Sequence, residues 1–351
     1  MVRSVCARRI SGLASRGWAN PWVRAGANTV VGLAALLLLL HSVPLGDLVH
    51  HVQPRHLSPL FAIGVLTLLS QVARATRWML LLRSRTRVGL LDALWVNLAT
   101  QLANYVLPLR CGEALRLWWL AKRRHQPSAA ALGLIVTDHA FDLGGVTAVL
   151  GAGTILKATA ADPLLPSLPA LLVVFSLAIA SLVAIAGGAW LGPRLLANAP
   201  VRRLLRPEWS EALVRQSHSF WSGLGTVRGS RLAAVVAASA IAVALDGAAF
   251  AMLFLALGLA VPFASAAVAQ VTLLYTYILP AAPGYVGSLE AGGTLLLSSL
   301  GLSRDAAAGA IVLWHALATL LIVTMGLFAL HRVLRMGTAA REGRTFERGR
   351  R

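Results

Sequence analysis

Long apolar stretches recur along the chain and constrain its fold more than any other feature of the sequence. The hydrocarbon core of a bilayer is about 30 Å thick, so a helix needs about 20 consecutive apolar residues to cross it. Charged residues make up only 13% of the chain, whereas about a quarter is usual for a soluble domain. The sequence therefore predicts an all-α polytopic membrane protein with about eight transmembrane helices, at 28–46, 59–82, 89–107, 130–156, 169–192, 232–258, 260–280 and 305–334.

The formal net charge of +19 comes mainly from arginines that flank these apolar stretches. Short basic clusters between spans are typical of the positive-inside pattern, in which cytoplasmic loops carry Lys and Arg. This pattern predicts a multi-pass membrane protein with both termini in the cytoplasm and no nucleic-acid partner. The predicted cytoplasmic parts are the basic tails 1–27 and 336–351 and the loops 83–88, 122–129 and 193–231.

Two short polar motifs interrupt the apolar sequence with proline, glycine and a carboxylate, at 107–113 and 280–290. Irregular backbone at membrane depth is tolerated only where it is buried in protein or lines a water-filled cavity. Each motif leads into a short apolar segment, 109–121 or 284–300, which as a helix reaches only about 20–25 Å. We therefore expect two short helices that are broken or re-entrant.

The two motifs occupy corresponding places in two units of opposite orientation. If the basic N-terminus lies inside and every segment crosses, the unit 89–156 begins on the inner side and the unit 260–334 on the outer side. Each unit then crosses, breaks, returns and crosses again, which is the inverted-repeat plan of many transporters. The sequence thus predicts a single transmembrane domain, 28–335, that contains an inverted repeat.

Polar side chains around the first motif form a candidate substrate-binding site. Asn97, Gln101 and Asn104 are spaced i, i+4 and i+7, so they share one helix face that leads towards Glu113. A guanidinium group offers a planar fork for phosphate, so we expect two arginines to hold a phosphate here. The alternative interpretation is hydrogen bonding between helices, at about 0.6 kcal/mol per contact. The two arginines are Arg110 and Arg116.

A second pair of carboxylates lies within the predicted span 130–156. Asp138 and Asp142 are four residues apart on one helix face. They are further candidates for the substrate-binding site. The alternative interpretation is that they neutralise Arg77 or Arg110.

Two arginines near the predicted inner end of the span 59–82 have a different expected role. Arg74 and Arg77 adjoin Trp78, and long basic and aromatic side chains at a membrane boundary commonly reach towards the interface. We expect them to anchor the span there.

The second motif supplies the remaining candidate substrate-binding residues. Gly284 and Gly287 permit a positive φ or a close approach of backbone. Glu290 follows in the short helix, and His315 in the last span could supply a titratable partner near neutral pH. A single intramembrane histidine is more often structural, and that alternative stays open for His315.

These motifs carry a resemblance to a known family. Arg77-Trp78 and the stretch 104–116 resemble the pattern RW, then N-x-x-LP-x-R-x-GE-x-x-R, of the lysylphosphatidylglycerol synthase transmembrane family, also called flippase-like membrane proteins. The stretch 138–142 is similar to a later position that often reads E-R-x-x-D, and 283–290 is similar to the second signature, PG-x-x-G-x-x-E. The resemblance covers roughly residues 30–335.

The chain departs from the family pattern at two positions. Tyr285 stands where a third glycine is frequent, and His139 stands where arginine is common. The resemblance implies a protein of the bacterial inner membrane that moves a phospholipid or another lipid-linked substrate between leaflets, as the flippase region of the multiple peptide resistance factor does. The expected partner is a membrane lipid with an anionic or lipid-linked head group.

The sequence carries no aminoacyl-transferase domain. We therefore expect no enzymatic activity, no catalytic residue and no cofactor. The two cysteines, Cys6 and Cys111, have no metal-ligand spacing, so no metal site is expected. Two alternatives stay open: a non-catalytic membrane partner of a separate lipid synthase or glycosyltransferase, and a transferase that uses a polyprenyl-phosphate carrier.

Overall fold

A computed structural model describes residues 54–83, 85–107, 112–160, 167–197, 219, 221, 229–259, 261–274 and 283–348 of the chain. All of the regular secondary structure in these residues is helical, which confirms the all-α prediction for this part of the chain. The predicted first span, 28–46, and most of the loop 193–231 lie outside the described residues. So do residues 108–111 of the first motif and 280–282 of the second.

Nine α-helices and one 3₁₀ turn follow one another in the described residues. The turn, Pro283–Tyr285, lies between α7 and α8. The helices are α1 Pro54–Leu82, α2 Leu90–Val106, α3 Glu113–Arg123, α4 Ser128–Ala160, α5 Leu168–Ala197, α6 Ser230–Ala256, α7 Phe263–Leu273, α8 Ser288–Ser299 and α9 Arg304–Arg348.

Four helices of the described part are long and apolar enough to cross a membrane: α1, α4, α6 and α9. Helix α7 has only 11 residues, and the apolar described part of α5 covers Leu168–Val183. The protein is therefore a helical membrane protein, while the expected number of about eight crossings stays a prediction. Helix α9 continues to Arg348, past the end at 334 that the apolar pattern predicts.

The short segments after the two motifs form short helices. Helix α3 has 11 residues and α8 has 12 residues. At about 1.5 Å per residue neither can cross a hydrocarbon core of about 30 Å by itself. Helix α3 packs between α2 and α4, and α8 packs on α7 and α9.

Two apolar clusters lie at different depths along the long helices. One includes Trp78 of α1, Val235 of α6 and Val333 of α9. The other includes Phe250 of α6 and Ile311 of α9. Between these levels, Gln71 and Arg74 of α1 and Asp246 of α6 line a shared cavity. The polar region therefore lies between two apolar layers, part of the way along the helices.

Close packing between α8 and α9 depends on a glycine. A Cβ atom at Gly293 would lie 2.6 Å from Ile311 Cδ1 and 2.8 Å from Ile311 Cγ1. We expect Gly293→Ala to lower the free energy of unfolding by about 1–3 kcal/mol, as is usual for overpacking, and unfolding in detergent measures this. The loss should disappear in an Ile311→Ala background. Gly309→Ala, where a Cβ meets nothing within 4 Å, is the control; equal losses in the two single variants would contradict the packing.

Candidate functional site

A cavity of about 580 Å³ lies among α1, α2, α4, α6, α7 and α9. Its walls carry amides, carboxylates and guanidinium groups next to apolar side chains from the same helices. Such a concentration of polar groups among membrane-spanning helices is costly unless the groups pair, face water or serve a function. The cavity is therefore the candidate functional site.

A ladder of ion pairs joins α1 to α4 and α6 on one side of the cavity. Arg77 Nε donates to Asp138 Oδ1 at 2.7 Å, and Arg77 Nη1 and Nη2 donate to Asp142 at 2.7 and 2.8 Å. Arg74 Nη1 donates to the same Asp142 at 2.5 Å, and Arg74 Nη2 donates to Asp246 of α6. Each of these charges thus has an opposite charge in contact, which offsets the cost of placing it away from water.

The ladder corrects one expectation from the sequence. The prediction that Arg74, Arg77 and Trp78 anchor a span at the interface is wrong, since Arg77 and Trp78 are almost fully buried and both arginines bind carboxylates inside the bundle. The physical reason is that the partner carboxylates lie on other helices, where the local sequence around α1 does not reveal them. Asp138 and Asp142 both bind Arg77, as the alternative interpretation predicted.

Arg116 of α3 extends the ladder towards α2. Its Nη1 donates to Asp138 Oδ2 at 2.8 Å, its Nη2 donates to Asn97 Oδ1, and its guanidinium lies 4.7 Å from the ring centre of Trp78. The side chain is only 5% exposed. Both terminal nitrogens of the Arg116 guanidinium therefore already bind side chains of the protein. These bonds fix the position of α3 against α2 and α4.

The predicted polar stripe on α2 also makes contacts between helices. Gln71 Oε1 of α1 accepts hydrogen bonds from Asn97 Nδ2 at 3.0 Å and from Gln101 Nε2 at 2.6 Å. Asn104 Nδ2 donates to Glu113 Oε1 at 3.3 Å. These bonds bring Gln101, Asn104 and Glu113 to the cavity wall. Gln71 was missed at the sequence level because nothing local distinguishes it from any other polar residue in a span.

Two carboxylates of the cavity wall are more accessible than the arginines that pair with them. The side chains of Asp142 and Glu113 are 30% and 27% exposed, whereas those of Arg77 and Arg116 are 2% and 5% exposed. Glu113 Oε2 is buried, accepts no hydrogen bond from the described residues and lies 3.7 Å from Arg116 Nη1. His139 Nε2 lies 3.4 Å from Glu113 Oε1. The described walls of the cavity therefore present two partly exposed carboxylates to anything that enters it.

The second motif forms a tight turn before α8. Gly284 and Gly287 have φ values of 74° and 86°, in the region that glycine tolerates. The N–H of Gly287 donates to Glu290 Oε2 at 2.7 Å, which closes the start of the helix. Tyr285 also has a positive φ, 61°, which is uncommon for a bulky residue. A positive φ at this position also explains why glycine is frequent there in the resembled pattern.

His315 of α9 joins this turn to α2. His315 Nδ1 lies 2.5 Å from Glu290 Oε1, and Nε2 lies 2.7 Å from the Tyr105 hydroxyl and 2.8 Å from the carbonyl oxygen of Gly284. The side chain of His315 is fully buried. The structure thus brings together Gly284, Gly287, Glu290 and His315, four of the predicted site residues.

The two groups of predicted residues meet on α2. Asn104 contacts Glu113 of the first motif, while its neighbour Tyr105 contacts His315 behind the second. Tyr105 also packs edge to face on Tyr285, and both rings line the cavity. Of the predicted site residues, Arg110 lies outside the described part of the chain. Tyr105 was missed because it occupies an unspecified position of the first motif.

Comparison with known proteins gives one match. A family model described as the lysylphosphatidylglycerol synthase TM region matches residues 27–326 of the chain. No curated protein and no solved structure matches. The matched range includes both motifs and every predicted site residue.

Proposed function

Because the chain belongs to the family of the lysylphosphatidylglycerol synthase transmembrane region, we propose that it moves a phospholipid, or another lipid-linked head group, between the leaflets of a membrane. The proposed membrane is the bacterial inner membrane, with both termini in the cytoplasm. The observation that carries the proposal is the polar cavity enclosed by membrane-spanning helices.

The energetic problem of lipid translocation is the passage of a charged head group through hydrocarbon. A charged side chain at the centre of a bilayer costs about 2.5–3.5 kcal/mol even on the most permissive scales. A cavity of about 580 Å³ is within the usual range for small-molecule sites, and its polar walls replace part of the water that the head group loses. The acyl chains can stay in the lipid while the head group crosses.

The charges of the cavity favour a head group that carries an amine as well as a phosphate. The partly exposed carboxylates Glu113 and Asp142 can bind an ammonium group, because the Arg116 and Arg77 side chains that pair with them are almost fully buried. In the proposal Arg110 holds the phosphate, whereas Arg116 keeps α3 in place through Asn97 and Asp138. No bond of the lipid is made or broken, so the proposed activity is transport.

Glu113→Gln tests the proposal. The purified full chain is reconstituted in vesicles of phosphatidylcholine and phosphatidylglycerol with a trace of a fluorescent phospholipid, and quenching from outside reports its movement between leaflets. A hydrogen bond to a charged group contributes about 1.5–3 kcal/mol, so we expect translocation to be slowed by about ten- to a hundredfold. Fluorescent lipids with zwitterionic, cationic and anionic head groups are compared.

Asp92→Asn is the matched control. Asp92 is also an acidic residue near the end of a helix, but it pairs with Arg124 at 2.5 Å and does not line the cavity. Translocation should be unchanged in this variant. Equal rates in Glu113→Gln and the wild type would overturn the role of Glu113, and no movement of any lipid class by the wild type would overturn the transport function in favour of a partner role for a separate lipid enzyme.

A further inference from the structure

The contacts of His315 restrict where its protons can lie. A backbone carbonyl only accepts hydrogen bonds, so the 2.8 Å contact with the carbonyl oxygen of Gly284 requires a hydrogen on Nε2. An ionised carboxylate also only accepts, so the 2.5 Å contact with Glu290 requires a proton between Nδ1 and Oε1. Both contacts exist together only when the pair of Glu290 and His315 holds one proton more than a neutral imidazole beside a carboxylate.

Within the described part of the chain, no charged group other than Glu290 contacts His315. Among the described residues, the groups that face His315 are Glu290 from α8, the Tyr105 hydroxyl from α2 and the Gly284 carbonyl from the turn before α8. Thr319 of its own helix donates to the carbonyl oxygen of His315 and contacts the Tyr105 hydroxyl. With its extra proton the pair of Glu290 and His315 is electrically neutral, and without it the pair carries one buried negative charge.

Loss of the extra proton must break one of the two bonds to the second motif. If Nε2 loses its hydrogen, its lone pair faces the Gly284 carbonyl oxygen at 2.8 Å, and only the Tyr105 hydroxyl can rotate to donate to it. If Nδ1 loses its hydrogen, its lone pair faces the carboxylate at 2.5 Å. Both facing groups belong to the segment 283–290, so either repulsion releases this segment from α9.

We propose that the pair of Glu290 and His315 is a proton-binding site that couples the position of the second motif, and through it lipid movement, to a proton gradient. One proton is exchanged with water through Glu290, whose side chain is 30% exposed, while His315 behind it is fully buried. Binding of the proton locks the segment 283–290 to α9, and release frees it. Tyr285 of this segment lines the cavity, so its movement changes the cavity wall. The coupling to lipid movement rests on the proposed function, whereas the proton site does not.

The proton site is tested on the full chain in lipid nanodiscs. Nitrogen-15 NMR of the histidine rings reports whether each nitrogen carries hydrogen, and the His315 signals are assigned by their absence in His315→Gln. Hydrogen exchange of residues 283–290, corrected for the intrinsic pH dependence, reports release of the segment. We expect His315 to change from the doubly protonated to the neutral ring as the pH is raised, with faster exchange of 283–290 over the same range. The proton site is overturned if His315 keeps one protonation state over this pH range. It is also overturned if hydrogen exchange of 283–290 does not change together with the protonation of His315.

The coupling is tested with the vesicles and fluorescent phospholipids described above, under an imposed pH gradient. One pH unit is a tenfold difference in proton concentration, so exchange of one proton per lipid shifts the steady-state ratio between leaflets by up to about tenfold. His315→Gln should abolish this shift in the lipid ratio, and so should a second variant, Glu290→Gln. Thr324→Ala on the same helix, whose hydroxyl bonds only within α9 in the described contacts, should keep it.

The outcomes separate the two proposals. Lipid movement in the wild type that ignores the gradient overturns the coupling and leaves the transport function standing. A gradient response that persists in both His315→Gln and Glu290→Gln overturns the assignment of the coupling to this pair. If His315 changes its protonation state but the protein moves no lipid, the transport function is overturned and the proton site stands.

Discussion

Replacing Arg77 with methionine is expected to lower the free energy of unfolding by about 3–5 kcal/mol, the usual cost of removing one partner from a buried ion pair. Arg77 makes three charged hydrogen bonds to Asp138 and Asp142, and its side chain is 2% exposed. Without it, both carboxylates keep a single arginine each, and the cavity gains a further excess of negative charge. Unfolding in detergent, together with the folded fraction after purification, measures the loss.

The charge-matched double variant Arg77→Met/Asp142→Asn tests the cause. It removes one positive and one negative charge together, so it should recover part of the stability lost in the single variant. Arg83→Met serves as the control, because Arg83 lies just past the end of α1, is exposed and forms no ion pair with the described residues. Equal stability of Arg77→Met and Arg83→Met would contradict the buried ladder.

Gly112→Ala is expected to have the second large effect. A Cβ atom at Gly112 would lie 2.3 Å from the carbonyl oxygen of Thr100 and 2.6 Å from the backbone nitrogen of Asn104. Overpacking typically costs about 1–3 kcal/mol, and we expect the upper end of this range because the obstructing atoms belong to the backbone of α2. Helix α3 must move away from α2, which carries Glu113 out of reach of Asn104. Unfolding in detergent and the vesicle assay measure the two consequences.

Gly89→Ala provides a matched control for this substitution. Gly89 precedes α2 as Gly112 precedes α3, and a Cβ atom at Gly89 meets nothing within 4 Å. Its stability and lipid movement should stay close to those of the wild type. A Gly112→Ala variant that behaves like Gly89→Ala would show that α3 does not depend on this close approach to α2.

Much of the fold could be predicted from local sequence. Apolar length predicts α1, α4 and α6 closely, because the number of residues needed to cross a bilayer is fixed by its thickness. The short helices after the two motifs also follow from the sequence, since proline and glycine interrupt regular helix there. Helix α9 begins where the sequence predicts but extends past its predicted end, since apolar content alone does not determine where a helix ends.

The sequence predicts which residues belong to the candidate site better than it predicts which of them contact one another. Glu113, Glu290 and His315 were identified because polar groups inside a membrane are costly and so are rarely incidental. The contact of His315 with Glu290 joins residues 25 apart, and its contact with Tyr105 joins residues 210 apart. Nothing in the spacing of one helix specifies such partners.

The sequence by itself determined that this protein is a helical membrane protein of the lysylphosphatidylglycerol synthase transmembrane family. Hydropathy and motifs suffice for this, because each depends on residues close together in the chain. Only the tertiary structure decided that Arg74 pairs with Asp142 and Asp246 and that Arg77 pairs with Asp138 and Asp142, so that neither anchors a span at the interface. Arg74 and Asp246 are 172 residues apart, and the energy of a pair of charges depends on their separation and burial in the folded protein.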